Sequence, residues 1–223
     1  MTMEVRTFAD HDAFAASVAD LIAGEWAVES KTPHAVMLSG GRTPLAAYQS
    51  LAQAPVPAAK SAWALFSDER MVPPDSPESN FGNAAEMLSA MRIGEERILR
   101  VRTDRPPVVA AERYHNDLAA FFGAGGRITL GLLGIGADGH TASLFSLADV
   151  ERGMDRWAIP VARTGGPDRV SVTAALIRRV ARVVFLVSGR DKDAVVAALL
   201  NEPSRIPAGK AVEGLSCVEL WRI

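Results

Sequence analysis

The strongest constraint on what this chain can fold into is a rhythm: apolar runs of strand length alternate with segments whose apolar residues recur every three or four positions. His34 to Leu38, Ala62 to Phe66 and above all ITLGLLG at 128 to 134 are nearly continuous apolar runs that end at glycine or polar turns. A strand covered on both faces reads this way. Between them, Phe14, Val18, Leu21, Ile22 and Trp26 mark one face of an early helix, and Leu45, Tyr48 and Leu51 mark a second. Thr43 is placed to cap that second helix, with Pro44 at its first helical position. Phe81, Ala84, Leu88 and Met91 mark a third helix. A fourth runs from about Val108 to Phe122 and is closed by Gly123 to Gly126, and a further one spans Asp191 to Leu200. A short strand is expected near Ile98 to Val101, others at 157 to 161, 170 to 173 and 182 to 187, and a last one including Val218 to Trp221. Strands that alternate with helices make βαβ units, so an α/β fold with a mainly parallel sheet is expected.

Composition narrows the function classes. With 223 residues, 48% hydrophobic and 22% charged, the chain can bury a large core, and one domain over 1–223 is expected. The Pro-rich stretches at 55 to 57, 73 to 77 and 106 to 107 are too short to be domain boundaries. A formal net charge of −2 gives no global positive field to hold nucleic acid or an anionic membrane, so neither partner is expected. Any anionic ligand must be captured locally. The single Cys217 excludes an internal disulfide and a multi-cysteine zinc site, and an unpaired thiol fits a reducing compartment. No apolar run approaches the ~18 residues of a membrane span, and the N-terminal stretch carries acidic residues where a signal peptide would be apolar. A cytoplasmic protein is expected.

In an open parallel sheet, ligands bind beyond the carboxyl ends of the strands, so the loops that follow those ends carry the chemistry. LSGGRTP at 38 to 44 lets the backbone turn tightly and aim N–H groups outward at a helix start, with Gly40 and Gly41 removing side chains that would hold an anion away. An ordinary Gly-rich turn with a Thr-Pro cap would read the same. The loop lacks the lysine of a nucleotide P-loop. SDERMVPPDSPESN at 67 to 80 places Asp68, Glu69 and Arg70 past a strand end. Arg70 can hold a carboxylate or polarise a carbonyl, and Asp68 can orient a base or a hydroxyl; a solvated loop capping the next helix is the alternative.

LGIGADGHTASLF at 133 to 145 contains a literal Gly134, Gly136, Gly139 match to the dinucleotide fingerprint. His140 follows the last glycine, and no acidic residue ends the next strand to hold a ribose, so dinucleotide binding is disfavoured. An imidazole of ordinary pKa ~6.5 takes a proton from water near neutral pH, which makes His140 a candidate general base with Asp138 to orient it. His11, His34, His115 and His140 lie far apart without metal-ligand spacing, so no metal is expected, and Ser143 has no nucleophile-elbow context. Late in the chain, Arg169 and Lys192 can complete an anion site or stand as surface charges.

Taken in order, LSGGRTP, SDERMVPPDSPESN, LGIGADGHTASLF, RVSVT and SGRDK resemble the 6-phosphogluconolactonase family, over about residues 30 to 200. DGHTASLF and the DER-x-VP-x-x-x-x-SN pattern are its specific signals. The resemblance implies hydrolysis of 6-phospho-D-glucono-1,5-lactone to 6-phosphogluconate in the oxidative pentose phosphate pathway, with neither metal nor organic cofactor. It also implies a Rossmann-like, doubly wound sheet flanked by helices on both faces. By the same resemblance His140 is the base that activates water, Asp138 and Asp68 lie near it, and Arg70 contacts substrate. Ser39, Gly40, Gly41 and Thr43 form the phosphate-proximal loop, and Arg169 and Lys192 match basic residues that bind the phosphate. The partner implied is a small sugar-phosphate lactone, and the chain is expected as a monomer or small homo-oligomer.

Arg42 stands where the family usually has Ser or Thr, and its role is open. The segment from Glu202 to Ile223 departs from the usual family ending, which leaves the final strand uncertain. A related enzyme, glucosamine-6-phosphate deaminase, usually reads DGHIAFNEP in the His loop; Ser143 and Leu144 replace that continuation here and favour lactone hydrolysis. A sugar-phosphate sensor is the non-enzymatic alternative, and it need not keep both His140 and Asp138, as this chain does.

Overall fold

A computed structural model describes residues 3–223. Its strands, in chain order, are β1 (Glu4–Thr7), β2 (His34–Leu38), β3 (Ala62–Phe66), β4 (Asp68–Arg70), β5 (Ile98–Leu99), β6 (Arg127–Gly134), β7 (Ala158–Val161), β8 (Arg169–Val172), β9 (Val180–Val187) and β10 (Val218–Arg222). The helices are α1 (His11–Ala27), α2 (Arg42–Gln53), α3 (Asn80–Ala90), α4 (Pro107–Gly123), α5 (Leu147–Glu151), α6 (Ala174–Ile177), α7 (Asp193–Asn201) and α8 (Pro207–Ala211).

The main sheet has the order β1-β10-β9-β6-β2-β3-β5, and its neighbouring strands pair in parallel. From β2 the chain winds outward through β3 to β5, then crosses back to place β6 on the other side of β2. Winding reverses there, so the loops leaving β2 and β6 diverge and open a crevice between them. Alternation along β2 shows why the run is continuously apolar. Val36 and Leu38 join a core with Phe14, Ile22 and Trp26 of α1, Tyr48 of α2 and Met87 of α3. Ala35 and Met37 join the opposite core, with Tyr114 and Leu118 of α4 and Val196 and Leu199 of α7. Both faces of the sheet are therefore covered, as expected of a doubly wound fold.

One contact ties a helix directly to the site. The Tyr114 hydroxyl donates to the Phe66 carbonyl at 2.7 Å and accepts from the Phe66 amide at 3.1 Å. It thereby fixes the carboxyl end of β3, where the 67–80 loop begins. Burial holds this phenol above its ordinary pKa, so it stays a neutral donor.

The structure departs from the sequence reading at several places. The expected strands at 157 to 161 and 170 to 173 do not enter the main sheet; as β7 and β8 they form a second, antiparallel sheet of order β4-β8-β7. This sheet packs its valines, Val170 and Val172, into the α4-side core. β1 and β4 were not foreseen. β1 is exposed along its length and β4 is the charged triplet Asp68–Arg70, so neither shows an apolar signal. The uncertain last strand is well placed: β10 lies between β1 and β9. Leu21 is only partly buried, and Ala19 fills the core position on α1 instead.

Candidate active site

A cavity of about 670 Å³ lies at the point where the winding reverses, and four chain segments wall it together with the start of α1. The first is the β2–α2 loop. Gly41 stands at φ +96°, a conformation that disfavours any side chain, and serves as N-cap of α2. Thr43 lines the cavity but does not cap the helix, against the sequence reading, and no side chain does. The amides of that first turn are left open. A β-carbon on Gly40 would overlap the Asn80 amide group, so this glycine lets α3 close on the loop. The Ser39 carbonyl accepts from the Tyr48 hydroxyl at 2.9 Å, while the buried Ser39 Oγ has no partner. An orphaned hydroxyl beside an uncapped helix N-terminus suits an anionic ligand.

The second wall is β4, where strand alternation separates the three charged residues. Asp68 and Arg70 line the cavity. Glu69 turns away to the start of α3, accepting from the amides of Asn80 and Phe81, both at 2.8 Å, and from Ser79 Oγ at 3.2 Å. Burial pushes the Glu69 carboxyl up, against the lowering effect of these amide hydrogen bonds. Asp68 is fully engaged. Its Oδ2 accepts from Ser143 Oγ at 2.6 Å, and its Oδ1 accepts from Ser67 Oγ at 3.0 Å and Asn80 Nδ2 at 3.3 Å. Arg70 donates to the Glu78 carbonyl at 2.6 Å and keeps a buried Nε without a partner.

Arg169 faces Arg70 across the β4–β8 pairing, donates to the Pro167 carbonyl at 2.7 Å and does not line the cavity. Burial, reinforced by the neighbouring Arg70 charge, holds its guanidinium below the usual arginine range. The structure thus places Arg169 beside Arg70, on the same face of the small sheet.

The third wall leaves β6. A tight turn is closed by the Gly136 amide on the His140 carbonyl at 2.9 Å and by Thr141 Oγ1 on the Gly134 carbonyl at 2.9 Å. The turn brings His140 Nδ1 to 2.5 Å from Asp138 Oδ1, which also accepts from the His140 amide at 3.2 Å. Partial burial pushes the Asp138 carboxyl up, but the hydrogen bonds and charge of His140 outweigh it and hold the group below the usual carboxylate range. Asp138 is therefore an ionised acceptor for the ring at neutral pH. With Nδ1 engaged, Nε2 is the ring nitrogen available to the cavity, which His140 lines and Asp138 does not. Phe145 lies against the imidazole, ring centres 4.8 Å apart. No helix starts at this turn; α5 begins only at Leu147, so the glycine match lacks the helix N-terminus that a dinucleotide site uses.

The fourth wall follows β9, where Lys192 reaches the cavity with its Nζ 3.9 Å from Asp191. Sequence reasoning missed three residues here. His11, at the start of α1, lines the cavity, as does Asn80, and Ser143 ties the His loop to Asp68. The Ser-Asn ending of the 67–80 motif was the available signal for Asn80; His11 gave none, and Ser143 was read as part of DGHTASLF but not as a partner of Asp68. Among the described residues no cluster of His, Cys, Asp or Glu could hold a metal ion. No helix among them is long and apolar enough to cross a membrane.

Fold and cavity together define an α/β protein with its crevice at the switch point of a parallel sheet. The family model for glucosamine-6-phosphate isomerases/6-phosphogluconolactonase matches residues 9–217, and the chain belongs to that family. It is 34% identical over 201 residues to the 6-phosphogluconolactonase of Haemophilus influenzae, covering 86% of each chain. It is 31% identical over 221 residues to that of Homo sapiens, covering 93% of this chain and 85% of the human one. The crystal structure of a 6-phosphogluconolactonase from Thermotoga maritima superposes with a TM-score of 0.84 at 27% identity, covering 99% of both chains.

Proposed function

We propose that this chain is a cytoplasmic, single-domain lactonase that hydrolyses 6-phospho-D-glucono-1,5-lactone to 6-phosphogluconate in the oxidative pentose phosphate pathway. The observation that carries the reading is the His140–Asp138 pair, with its free Nε2 in the same cavity as an orphaned Ser39 hydroxyl, an uncapped helix start and Lys192. The relatives named above supply the reaction.

In this reading the phosphate lies on the Ser39–Gly41 backbone and the first turn of α2, with Thr43 and Lys192 as side-chain donors. His140 Nε2 takes a proton from a water as its oxygen attacks the lactone carbonyl carbon. Asp138 holds the ring in the tautomer that leaves Nε2 basic and supports the imidazolium that forms. The carbonyl electrons move onto oxygen, where the Arg70 guanidinium, whose Nε lacks a protein partner, offsets the new negative charge. Collapse of the tetrahedral species breaks the bond to the ring oxygen, which takes the proton from His140. Asp68 organises this wall, since its carboxylate oxygens already hold Ser143, Ser67 and Asn80. Arg169, directly opposite Arg70 across the β4–β8 pairing, adds its positive charge beside that guanidinium.

The Ser143 bond to Asp68 also bears on the deaminase alternative, because this position is committed to a structural contact. The test is a pair of assays on the purified chain. Accelerated decay of freshly generated lactone, with no ammonia released from glucosamine 6-phosphate, is expected; ammonia release without lactone acceleration would overturn the reading.

A further inference from the structure

The three glycines that imitate a dinucleotide fingerprint do no dinucleotide work, yet two of them sit in contacts that admit no side chain. A β-carbon on Gly136 would run into His140 Nδ1 and Asp138 Oδ1. Gly139 stands at φ +85°, and a β-carbon there would come within 2.9 Å of Ile206 Cβ and 3.1 Å of Ile206 Cγ2. Gly136 therefore makes room for the His–Asp pair itself. Gly139 makes room for a residue sixty-seven positions later in the chain.

That residue belongs to the C-terminal segment between α7 and β10. Pro203–Arg205 forms a 3-10 turn and Pro207–Ala211 forms α8, with Ile206 between them. The contact is more than apolar. The Ala208 amide donates to the Gly139 carbonyl at 2.9 Å, which engages the peptide immediately before His140. The brace is anchored at its far end as well: Arg178 Nη2 donates to the Lys210 carbonyl at 2.9 Å. Gly209 lies too close to the Pro203 backbone to accept a β-carbon, so the two turns are packed as one unit.

We propose that Ile206, seated on Gly139 beside the Ala208–Gly139 hydrogen bond, is a positioning residue that fixes where the Asp138–His140 pair stands in the cavity. It touches neither substrate nor the reacting atoms. The turn it presses on is otherwise closed by hydrogen bonds among its own residues: Gly139 amide to Gly136 carbonyl, Gly136 amide to His140 carbonyl, His140 amide to Asp138 Oδ1 and Thr141 Oγ1 to Gly134 carbonyl. Glycine-rich backbone is mobile unless something outside it removes that freedom. Displacing a catalytic group by about 1 Å can cost on the order of 100-fold in rate, so such a brace acts on turnover. The proposal rests on the reading of His140 as general base.

Ile206→Ala keeps the β-carbon and removes the Cγ2 that closes on Gly139; Ile206→Val keeps both. Expected for Ile206→Ala is a fall in kcat of about tenfold or more with KM within about twofold, and a Tm lowered by no more than about 4 °C, as for a partly buried side chain packed on the core. Ile206→Val should restore wild-type values. A second readout does not depend on the reaction. In the folded chain with 15N-labelled histidine, His140, assigned by its loss in His140→Ala, should show one neutral tautomer with the proton on Nδ1. Ile206→Ala should show a mixture. Wild-type kcat with an unmixed tautomer in Ile206→Ala would overturn the proposal. So would a parallel fall in kcat and Tm with the tautomer unmixed. If the wild-type chain fails to accelerate lactone decay, the functional reading fails by itself; the tautomer comparison then still decides the brace, retained in Ile206→Ala against it and mixed in favour.

Discussion

The two loops that leave the switch point are built on opposite principles. The loop after β2 works through what it lacks: its two glycines carry no side chain, its helix start has no side-chain cap, and its serine hydroxyl has no partner. The loop after β6 works through what it adds, with an imidazole set by one carboxylate, flanked by Phe145 and braced from behind. A site made of backbone resists alteration by substitution and suits binding, whereas a site made of oriented side chains suits proton transfer. Binding and turnover should therefore separate when the two loops are changed one at a time.

The largest effect should come from the β6 side. Asp138→Asn leaves the size of the side chain but removes the charge that sets the ring tautomer, and kcat is expected to fall about 10- to 100-fold with KM little changed. Steady-state kinetics on fresh lactone checks this, and an equal rise in KM would break the contrast. For the phosphate-binding side chain after β9, which acts with the β2 loop, the reverse is expected. Lys192→Met should raise KM about tenfold with kcat within about twofold, since a charge on a non-reacting group contributes ground-state and transition-state binding alike. A loss confined to kcat would assign Lys192 to the chemistry.

Two further outcomes test the scaffold that holds the loops apart. Tyr114→Phe strips the hydroxyl from both polar groups of Phe66, and should lower stability by about 1–3 kcal/mol in urea denaturation. The smallest effect concerns Glu69, whose carboxyl is raised by burial. Its folded-state pKa lies above its unfolded value, so the native state binds this proton more tightly and ionisation disfavours folding. Denaturation of wild type and Glu69→Gln at several pH values should show the wild-type advantage shrinking as pH rises from about 4. An advantage that grows with pH would mean that the α3 amides outweigh burial.

What the sequence made legible follows from the same contrast. Strands buried on both faces announce themselves, so β2, β3, β6 and β9 were readable and the loops after their ends could be named. β1 and β4 carry no apolar pattern, and only their neighbours make them strands. Without β4 the antiparallel second sheet could not be foreseen, and with it the fact that Arg169 stands beside Arg70. Asp138 and His140 are two residues apart, so their pairing was within reach of local reasoning. Ser143 and Asp68 are 75 residues apart, and Ala208 and Gly139 are nearly as distant; such contacts come from tertiary packing alone.

The measurement that tests the account most directly is His140→Ala, assayed twice: for acceleration of lactone decay over the spontaneous rate, and for binding of 6-phosphogluconate by calorimetry. The account predicts that turnover falls by about 100-fold or more while the dissociation constant stays within about threefold of wild type. Comparable loss of both in a folded variant, or full turnover without the imidazole, would contradict it.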